Sequence, residues 1–503
     1  LAFIDHQLLN QSVAKPESDR LKMKHDLPRN FLFSLVCAVA TLAQALVRPA
    51  KAADQPYNVL LLVSDDLNCH LGCYGETMAK TPHLDALAKQ GVLFENAYCQ
   101  FPHCNPSRAS FLTSLRPRTT LVTNNEDSLY QNIPDVMTLP RWFREHGYAT
   151  ARCGKIFHLG VPSGLESMDD PRGWDFGTPF RDERPYPPAR PSSVQGILKG
   201  KDGKKQGLSW TETTGTDDDL VDGNFARTAI EWLEQRDTAK PFLLAVGFHR
   251  PHLPLVAPAK YFDLYPLESI SLPEEPDDDE ADIPIPARNG SVPGYTVSTN
   301  PEQRRAAIRG YLAAVSYMDA QVGRVVSALD RLGLKEKTLV VFMSDHGWHL
   351  GEHQLWHKRS LFEESARVPF IVRAPQIRGH GQRSQSLIES LDLFPTLCDL
   401  AGVAAPGNLQ GKSLRPVLDN PAATLHQAAI TEARRGAEAE YWGRSVRTSR
   451  WRYTEWNEGR AGKELYDHIA DPHEFSNLAE DPRYGKTIEE LKELMAGRTL
   501  SPP

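Results

Sequence analysis

Two adjacent carboxylates, a cysteine shortly ahead of a proline and an arginine, and several histidines and lysines are the residues of this chain that could do chemistry. Asp65 and Asp66 repel one another unless a dication relieves them, and Asp345-His346 offers a third carboxylate and an imidazole. Oxygen-rich ligation favours Ca²⁺ or Mg²⁺ over zinc, with His346 the unusual member for a hard cation. In Cys104-Asn105-Pro106-Ser107-Arg108, Pro106 suits the first turn of a helix continuing through Phe111 and Leu112. Cys104 then sits where free N–H groups and the helix dipole favour anions, and Arg108, one turn in, reaches the same spot. Gly154-Lys155 with His158, and His249 with His252, add further polar groups behind apolar runs. Taken singly, Asp65-Asp66 reads as a solvated turn and Cys104 as a buried helix-start thiol. Convergence is what argues for a site.

The elements that must position these residues are short buried strands. Asn58–Ser64, Tyr148–Cys153, Phe242–Phe248 and Thr338–Ser344 are apolar runs rich in Val, Leu or Phe, as expected for strands covered on both faces. Each runs straight into the polar residues named above, and in open α/β sheets ligands bind beyond the carboxyl ends of strands. The clearest helix spans 301–332, with Asn300 as N-cap, Pro301 at N1, Gln303 completing a capping-box pattern, and Gly333 as its stop. Strands alternating with helices predict an α/β sheet with helices on both faces. Past about residue 425 the texture changes to alternating strands over 445–448 and 451–456 and a helix over 487–495. The expected organisation is an upstream segment and signal peptide over 1–52, a catalytic domain over 53–425, and a smaller α+β unit over 426–503. Arg184–Arg190 is a Pro-rich loop, and Glu274–Asp282 reads as a solvated acidic loop.

A chain of 503 residues with 57 Lys and Arg against 64 Asp and Glu carries a formal charge of −7. That acidity argues against nucleic-acid binding, so an anionic substrate requires locally gathered positive charge. From Met23, the basic Lys24 and Arg29, the apolar Phe31–Ala43 and the small-x-small Ala50-Lys51-Ala52 make an export signal. The apolar run is short for a membrane span. The expected location is periplasmic or secreted, with no membrane association after signal removal. The seven cysteines form no zinc pattern, and one or two disulfides suit an oxidising compartment.

The motifs then become specific. Cys104-x-Pro106-Ser107-Arg108, followed by Leu112-Thr113, resembles the first signature of the type I sulfatases. Gly147-Tyr148-x-Thr150-x-x-x-Gly154-Lys155 resembles the second. The likeness covers nearly all of 55–480, and the stretches 58–75, 154–158, 245–254, 315–324 and 344–353 resemble the branch of that family acting on 2-sulfated iduronate. It departs at Ser114, where the family usually has glycine. The resemblance implies an alkaline-phosphatase-like sandwich with a large central, mixed but mostly parallel sheet, plus a C-terminal unit with an antiparallel sheet. It implies that Cys104 is oxidised to Cα-formylglycine by a transient formylglycine-generating maturation enzyme. It also implies one Ca²⁺ held by Asp65, Asp66, Asp345 and His346 next to Cys104, with Arg108, Lys155, His158, His249 and Lys358 around the sulfate. A sulfated carbohydrate, as in glycosaminoglycan or polysaccharide degradation, is the expected substrate. His252, His349 and His353 read as supporting or structural residues, and Trp348 as a packed anchor or a sugar-ring wall. The competing readings are a sulfatase for another polysaccharide such as an algal glycan, a phosphatase or phosphodiesterase of the same fold, and an inactive glycan-binding protein.

Overall fold

The computed structural model describes residues 56–158, 169–178, 186–190, 196–199, 205–288, 300–436 and 440–499. The expected leader, and parts of the loops 160–225 and 255–300, lie outside the described residues. Eight strands form the main sheet: β1 (Asn58–Asp65), β2 (Val92–Tyr98), β3 (Ala149–Gly154), β4 (Phe176–Gly177), β5 (Phe242–Pro251), β6 (Thr338–Ser344), β7 (Phe370–Arg373) and β8 (Gln382–Glu389). Their spatial order is β8-β2-β7-β6-β1-β5-β3-β4. Only β7 runs against its neighbours, β2 and β6.

Alternation along the strands splits the core in two. Leu60, Leu62, Leu244, Val246, Val340 and Phe342 face one way, toward helices α2 (Val221–Gln235) and α3 (Pro301–Arg331). Val59, Leu61, Val63, Leu243, Ala245 and Val341 face the other, toward α1 (Cys104–Thr113) and α4 (Leu393–Ala401). Because both faces are covered, the strands read as unbroken apolar runs. Each such Leu or Val withdrawn from water contributes about 1.5–3 kcal/mol. The Asn300 side chain accepts from the N–H groups of Glu302 and Gln303 at 2.9 and 3.3 Å, fixing the start of α3.

Strands β9 (Ala429–Arg435), β10 (Tyr441–Arg447), β11 (Trp451–Trp456) and β12 (Lys463–Asp467) form an antiparallel meander. Helix α5 (Gly485–Thr499) packs Ile488, Leu491 and Met495 against Val446, Tyr453 and Leu465. A smaller sheet joins Gly196–Lys199, Lys205–Thr213 and Leu255–Pro258. No described helix is long and apolar enough to cross a membrane. The six described cysteines are all unpaired.

The acidic run is mostly exposed, as expected, with Asp279 the exception. Asp279 is buried and lies 3.1 Å from His353 Nδ1, while Asp282 accepts from the Asn477 N–H. A carboxylate leaves water when a specific partner replaces the solvent, and a charge count cannot show that partner.

Candidate active site

The register of the parallel strands builds the site. Ser64 of β1 pairs with Ser344 of β6, so Asp65 and Asp345 emerge side by side. The Asp345 N–H donates to Ser64 O, and the Asp66 N–H donates to Asp345 Oδ1. Gly154 of β3 pairs with Gly247 of β5, and the Lys155 N–H donates to Gly247 O at 2.9 Å. A Cβ on Gly247 would stand 1.9 Å from Lys155 O, so glycine is what lets the Lys155 backbone close in. Strand β5 delivers His249, whose N–H, with that of Arg250, donates to the buried Asp222 at 2.7 and 2.9 Å. Burial pushes the Asp222 carboxyl up to about 7.

Helix α1 points its N-terminus into this cluster. Cys104 Sγ lies 3.4 Å from Asp65 Oδ1, 3.4 Å from His346 Nε2 and 3.3 Å from Lys358 Nζ. Burial and Asp65 oppose ionisation of the thiol, but Lys155 and Lys358 pull its pKa below the ordinary value. The Ser107 hydroxyl donates to Asp345 O, tying the helix start to the end of β6. Arg108 Nε donates to Asp345 Oδ2 at 2.9 Å, and its Nη1 to the carbonyls of Lys155 and Ile156. Lys155 Nζ meets Asp65 Oδ2, and Lys358 Nζ meets Asp66 Oδ1, each at 2.5 Å. Lys358 is aimed by a strained segment, with His357 at φ 75° and Arg359 at φ 79°.

Ligating atoms of Asp65, Cys104, Asp345 and His346 lie within 4.8 Å of one another, as do those of Asp65, Asp66, Cys104 and His252. Desolvation and the neighbouring Asp65 raise the Asp66 pKa, although Lys358 opposes them. Burial lowers the His346 imidazole, yet Asp345 and Cys104 outweigh it and raise the group to about 9. The His346 shift records the negative charge beside it, whereas that of Asp66 is first a consequence of burial. Asp66 Oδ2, a buried acceptor, and Arg108 Nη2, a buried donor, have no hydrogen-bond partner among the described residues. Both nitrogens of the buried His158 are in the same condition, and burial with Lys155 pushes its pKa down to about 2. Each such group costs about 1–3 kcal/mol unless a ligand satisfies it. A lone carboxylate oxygen calls for a cation and a lone guanidinium nitrogen for an anion, so the donor set fits a dication bound beside an oxyanion.

Asp65, Asp66, Cys104, Arg108, Lys155, Asp345, His346 and Lys358 meet here, with His158 and His249 near enough to feel the charges of Asp65 and Lys155, and the remaining histidines and Trp348 sort themselves. His252 Nε2 stands 3.9 Å from Asp66 Oδ2, closer to the cluster than a merely supporting residue need be. His349 instead bonds Ser360 Oγ and His353 pairs with Asp279, so both are structural. Trp348 is 1% exposed, stacked near Tyr311 and edge-on to His357, which makes it an anchor rather than a sugar wall. Sequence reasoning missed Asp222 and His103, and quoted Ser107 in the motif without a role. His103 is the residue before α1, buried and held neutral by desolvation and then by Arg359. For His103 the only available signal was its place next to Cys104, and Asp222 had none.

The sheet order and the strand-end site are those of the alkaline-phosphatase-like hydrolases. Among solved structures, a 2-O GAG sulfatase superposes with a TM-score of 0.69 at 29% identity, over 88% of this chain and 92% of that one. A phosphonate monoester hydrolase of Agrobacterium radiobacter gives 0.70 at 25%, over 88% and 96%. The sulfatase family profile matches residues 57–403, and that of the N-sulphoglucosamine sulphohydrolase C-terminal region matches 351–499. Iduronate 2-sulfatase of Mus musculus is 32% identical, over 92% of this chain and 98% of that protein. A Delta 4,5-hexuronate-2-O-sulfatase of Bacteroides thetaiotaomicron is 30% identical, over 90% of each. This chain belongs to the sulfatase family and is a sulfuric ester hydrolase.

Proposed function

We propose that this sulfatase releases the 2-O-sulfate of a hexuronate, such as iduronate, from a sulfated carbohydrate. The observation that carries the reading is that Asp66 Oδ2, in the carboxylate cluster with Cys104, has no hydrogen-bond donor, and Arg108 Nη2 has no acceptor closer than Asp65 Oδ1 at 3.7 Å. The relatives that act on 2-sulfated uronates support the choice of sugar.

Asp65, Asp66, Asp345 and His346 would hold a calcium ion, which would supply positive charge to a sulfate oxygen. Cys104 matured to formylglycine would supply, as its hydrate, two hydroxyls on one carbon, one to receive the sulfuryl group and one to release it. Arg108 and Lys358 add fixed positive charge where the ester's negative charge grows, in a site that needs no reorganisation. His158 is neutral and its ring nitrogens have no partner among the described residues, so its one unprotonated nitrogen can accept a hydrogen bond from a nucleophilic hydroxyl, as a weak base whose pKa burial and Lys155 hold down. Burial holds His249 down at about 4, so it too is neutral near pH 7. It binds a sulfate oxygen through N–H, which leaves Lys358 as the charged donor toward the departing alcohol. Export to the periplasm or beyond belongs to the same reading, since a polymeric sulfated glycan is met outside the cytoplasm.

A panel of sulfated disaccharides tests the reading. Sulfate release only from 2-O-sulfated uronate units is expected, and no release from them rejects the sugar assignment. Because the fold also accommodates a phosphonate monoester hydrolase, aryl sulfate and aryl phosphate turnover should be compared; faster phosphate turnover would move the reading to phosphoryl transfer. Mass analysis of the peptide containing Cys104 should show an aldehyde in place of the thiol. An unmodified thiol throughout would favour a glycan-binding role without turnover.

A further inference from the structure

A second group of ligand atoms lies beside the segment that carries Lys358 into the active site. Atoms of His353, Glu364 and Glu474 that could bind a metal lie within 4.8 Å of one another. His353 is 2% exposed, and its ring is fixed in two ways. It stacks on Phe362 with centroids 4.1 Å apart, and its Nδ1 lies 3.1 Å from Asp279 Oδ2. A carboxylate accepts and does not donate, so Nδ1 carries the proton of that bond. Nε2 is thereby left toward the two glutamates, and it has no hydrogen-bond partner among the described residues. The buried Oε2 of Glu364 has none either. Glu474 Oε2 accepts the Glu363 N–H at 2.9 Å and, as a carboxylate oxygen, has a second lone pair to offer.

The adjoining trio of Glu363, His468 and Glu474 is set equally close, but protein groups satisfy it. Arg452 donates to both carboxylates, and His468 Nε2 lies 2.8 Å from Glu474. Between His353 Nε2 and Glu364 Oε2 no hydrogen bond forms. Zinc takes imidazole nitrogen and carboxylate oxygen together, at about 2.0–2.2 Å, and so closes a gap of this size from both sides. Calcium takes oxygen alone. The Asp279 carboxylate behind the imidazole is the partner that orients a metal-bound histidine and raises its basicity. Burial opposes a charge on His353, yet the bond to Asp279 and the charge of Glu364 raise it to about 9. An ion at Nε2 takes the place of that proton, which leaves to solvent. His353 and Glu364 also border a cavity of about 450 Å³, with His70, Glu76 and Glu352 in its walls, which gives a cation a way in.

We infer that His353 Nε2, Glu364 and Glu474 form a binding site for a divalent cation of the zinc kind, separate from the carboxylate cluster at Cys104. His353 and Glu364 bracket Lys358 in the chain, and Glu474 follows the last strand of the C-terminal sheet. The ion therefore fastens the lysine-bearing segment to the C-terminal unit and takes no part in sulfate transfer.

The test titrates the whole chain with Zn²⁺ by calorimetry, in excess Ca²⁺ so that the carboxylates at Cys104 are taken. The titration is repeated with Glu364→Gln, His353→Gln and Asp279→Asn, each checked for folding by circular dichroism. The wild-type chain should take up one zinc ion that each variant binds at least about tenfold more weakly. Zinc should also raise the thermal unfolding midpoint of the wild type and leave that of Glu364→Gln where it was. Substituting Co²⁺ gives a second reading, visible absorption bands in the wild type that Glu364→Gln lacks. No zinc uptake by the wild type, or undiminished uptake by folded Glu364→Gln or His353→Gln protein, overturns the site.

Discussion

Lys155 and Asp65 form an ion pair with almost no solvent contact, and Arg108 stands 3.7 Å from the same carboxylate. Taking both charges out of water is costly, and only their mutual attraction and added hydrogen bonds offset it. Replacing Lys155 by methionine leaves Asp65 with its other neighbours but without its nearest cation. A loss of about 3–5 kcal/mol in urea unfolding is expected in chelator-treated protein. A loss under 1 kcal/mol would mean that the lysine acts only on substrate. Cys104 is different, because its thiol makes only long contacts and its value lies in its chemistry. Cys104→Ser should leave the unfolding midpoint nearly unchanged while lowering kcat on aryl sulfate by at least about 10³-fold. Turnover at the wild-type rate would show that this position is not the nucleophile.

At the scale of the element, α1 shows how a departure from the family pattern is accommodated. Ser114 ends the helix at φ 56° and ψ 32°, the left-handed region that glycine enters freely and other residues enter at a cost of about 1–2 kcal/mol. Its hydroxyl offsets that cost. It donates to Leu391 O at 2.8 Å and accepts from the Gly411 N–H at 3.0 Å. Ser114→Gly should therefore lie within about 1 kcal/mol of wild type, the gain in freedom cancelling the lost bonds. Ser114→Val keeps the strain and loses both bonds, for an expected 2–4 kcal/mol or so in thermal unfolding. Equal stability of the two variants would contradict this account.

Across the whole molecule, the C-terminal sheet is tied to the catalytic strand ends through buried charge. Arg452 of β11 donates to Glu474 Oε1 and to Glu363 Oε2, and His468 Nε2 lies 2.8 Å from Glu474. Two and three residues after Glu363's neighbour Phe362, the carbonyls of Glu364 and Ser365 accept from the N–H groups of Trp348 and Gly347, just beyond Asp345-His346. Burial opposes ionisation of Glu474, but Arg452 and His468 hold its pKa below the usual 4.5. A carboxyl depressed on folding contributes stability that is present above its unfolded pKa and is lost as pH falls through its folded one. Stability should thus decline below about pH 4.5. Arg452→Met should flatten that decline, having already lost the pairing at neutral pH. Parallel acid titrations followed by circular dichroism would check it, and identical slopes below pH 4.5 would count against the linkage.

The amino-acid sequence by itself determined the four central strands, because strands covered on both faces must be apolar throughout, and the N-cap of α3, because Asn300 and Pro301 act locally. It also placed carboxylates, histidines and a lysine after strand ends, where a parallel sheet must gather them. Strands β2, β7 and β8 were not legible, since short mixed runs such as Val92–Tyr98 and Phe370–Arg373 carry no pattern that separates strand from helix. Only tertiary structure decided that His252 faces Asp66 while His349 and His353 turn away, that Trp348 is an anchor, and that Asp279 is buried. Each of those outcomes depends on a distance between side chains far apart in the chain. Such distances are set by sheet register and layer packing, which no local run of residues encodes.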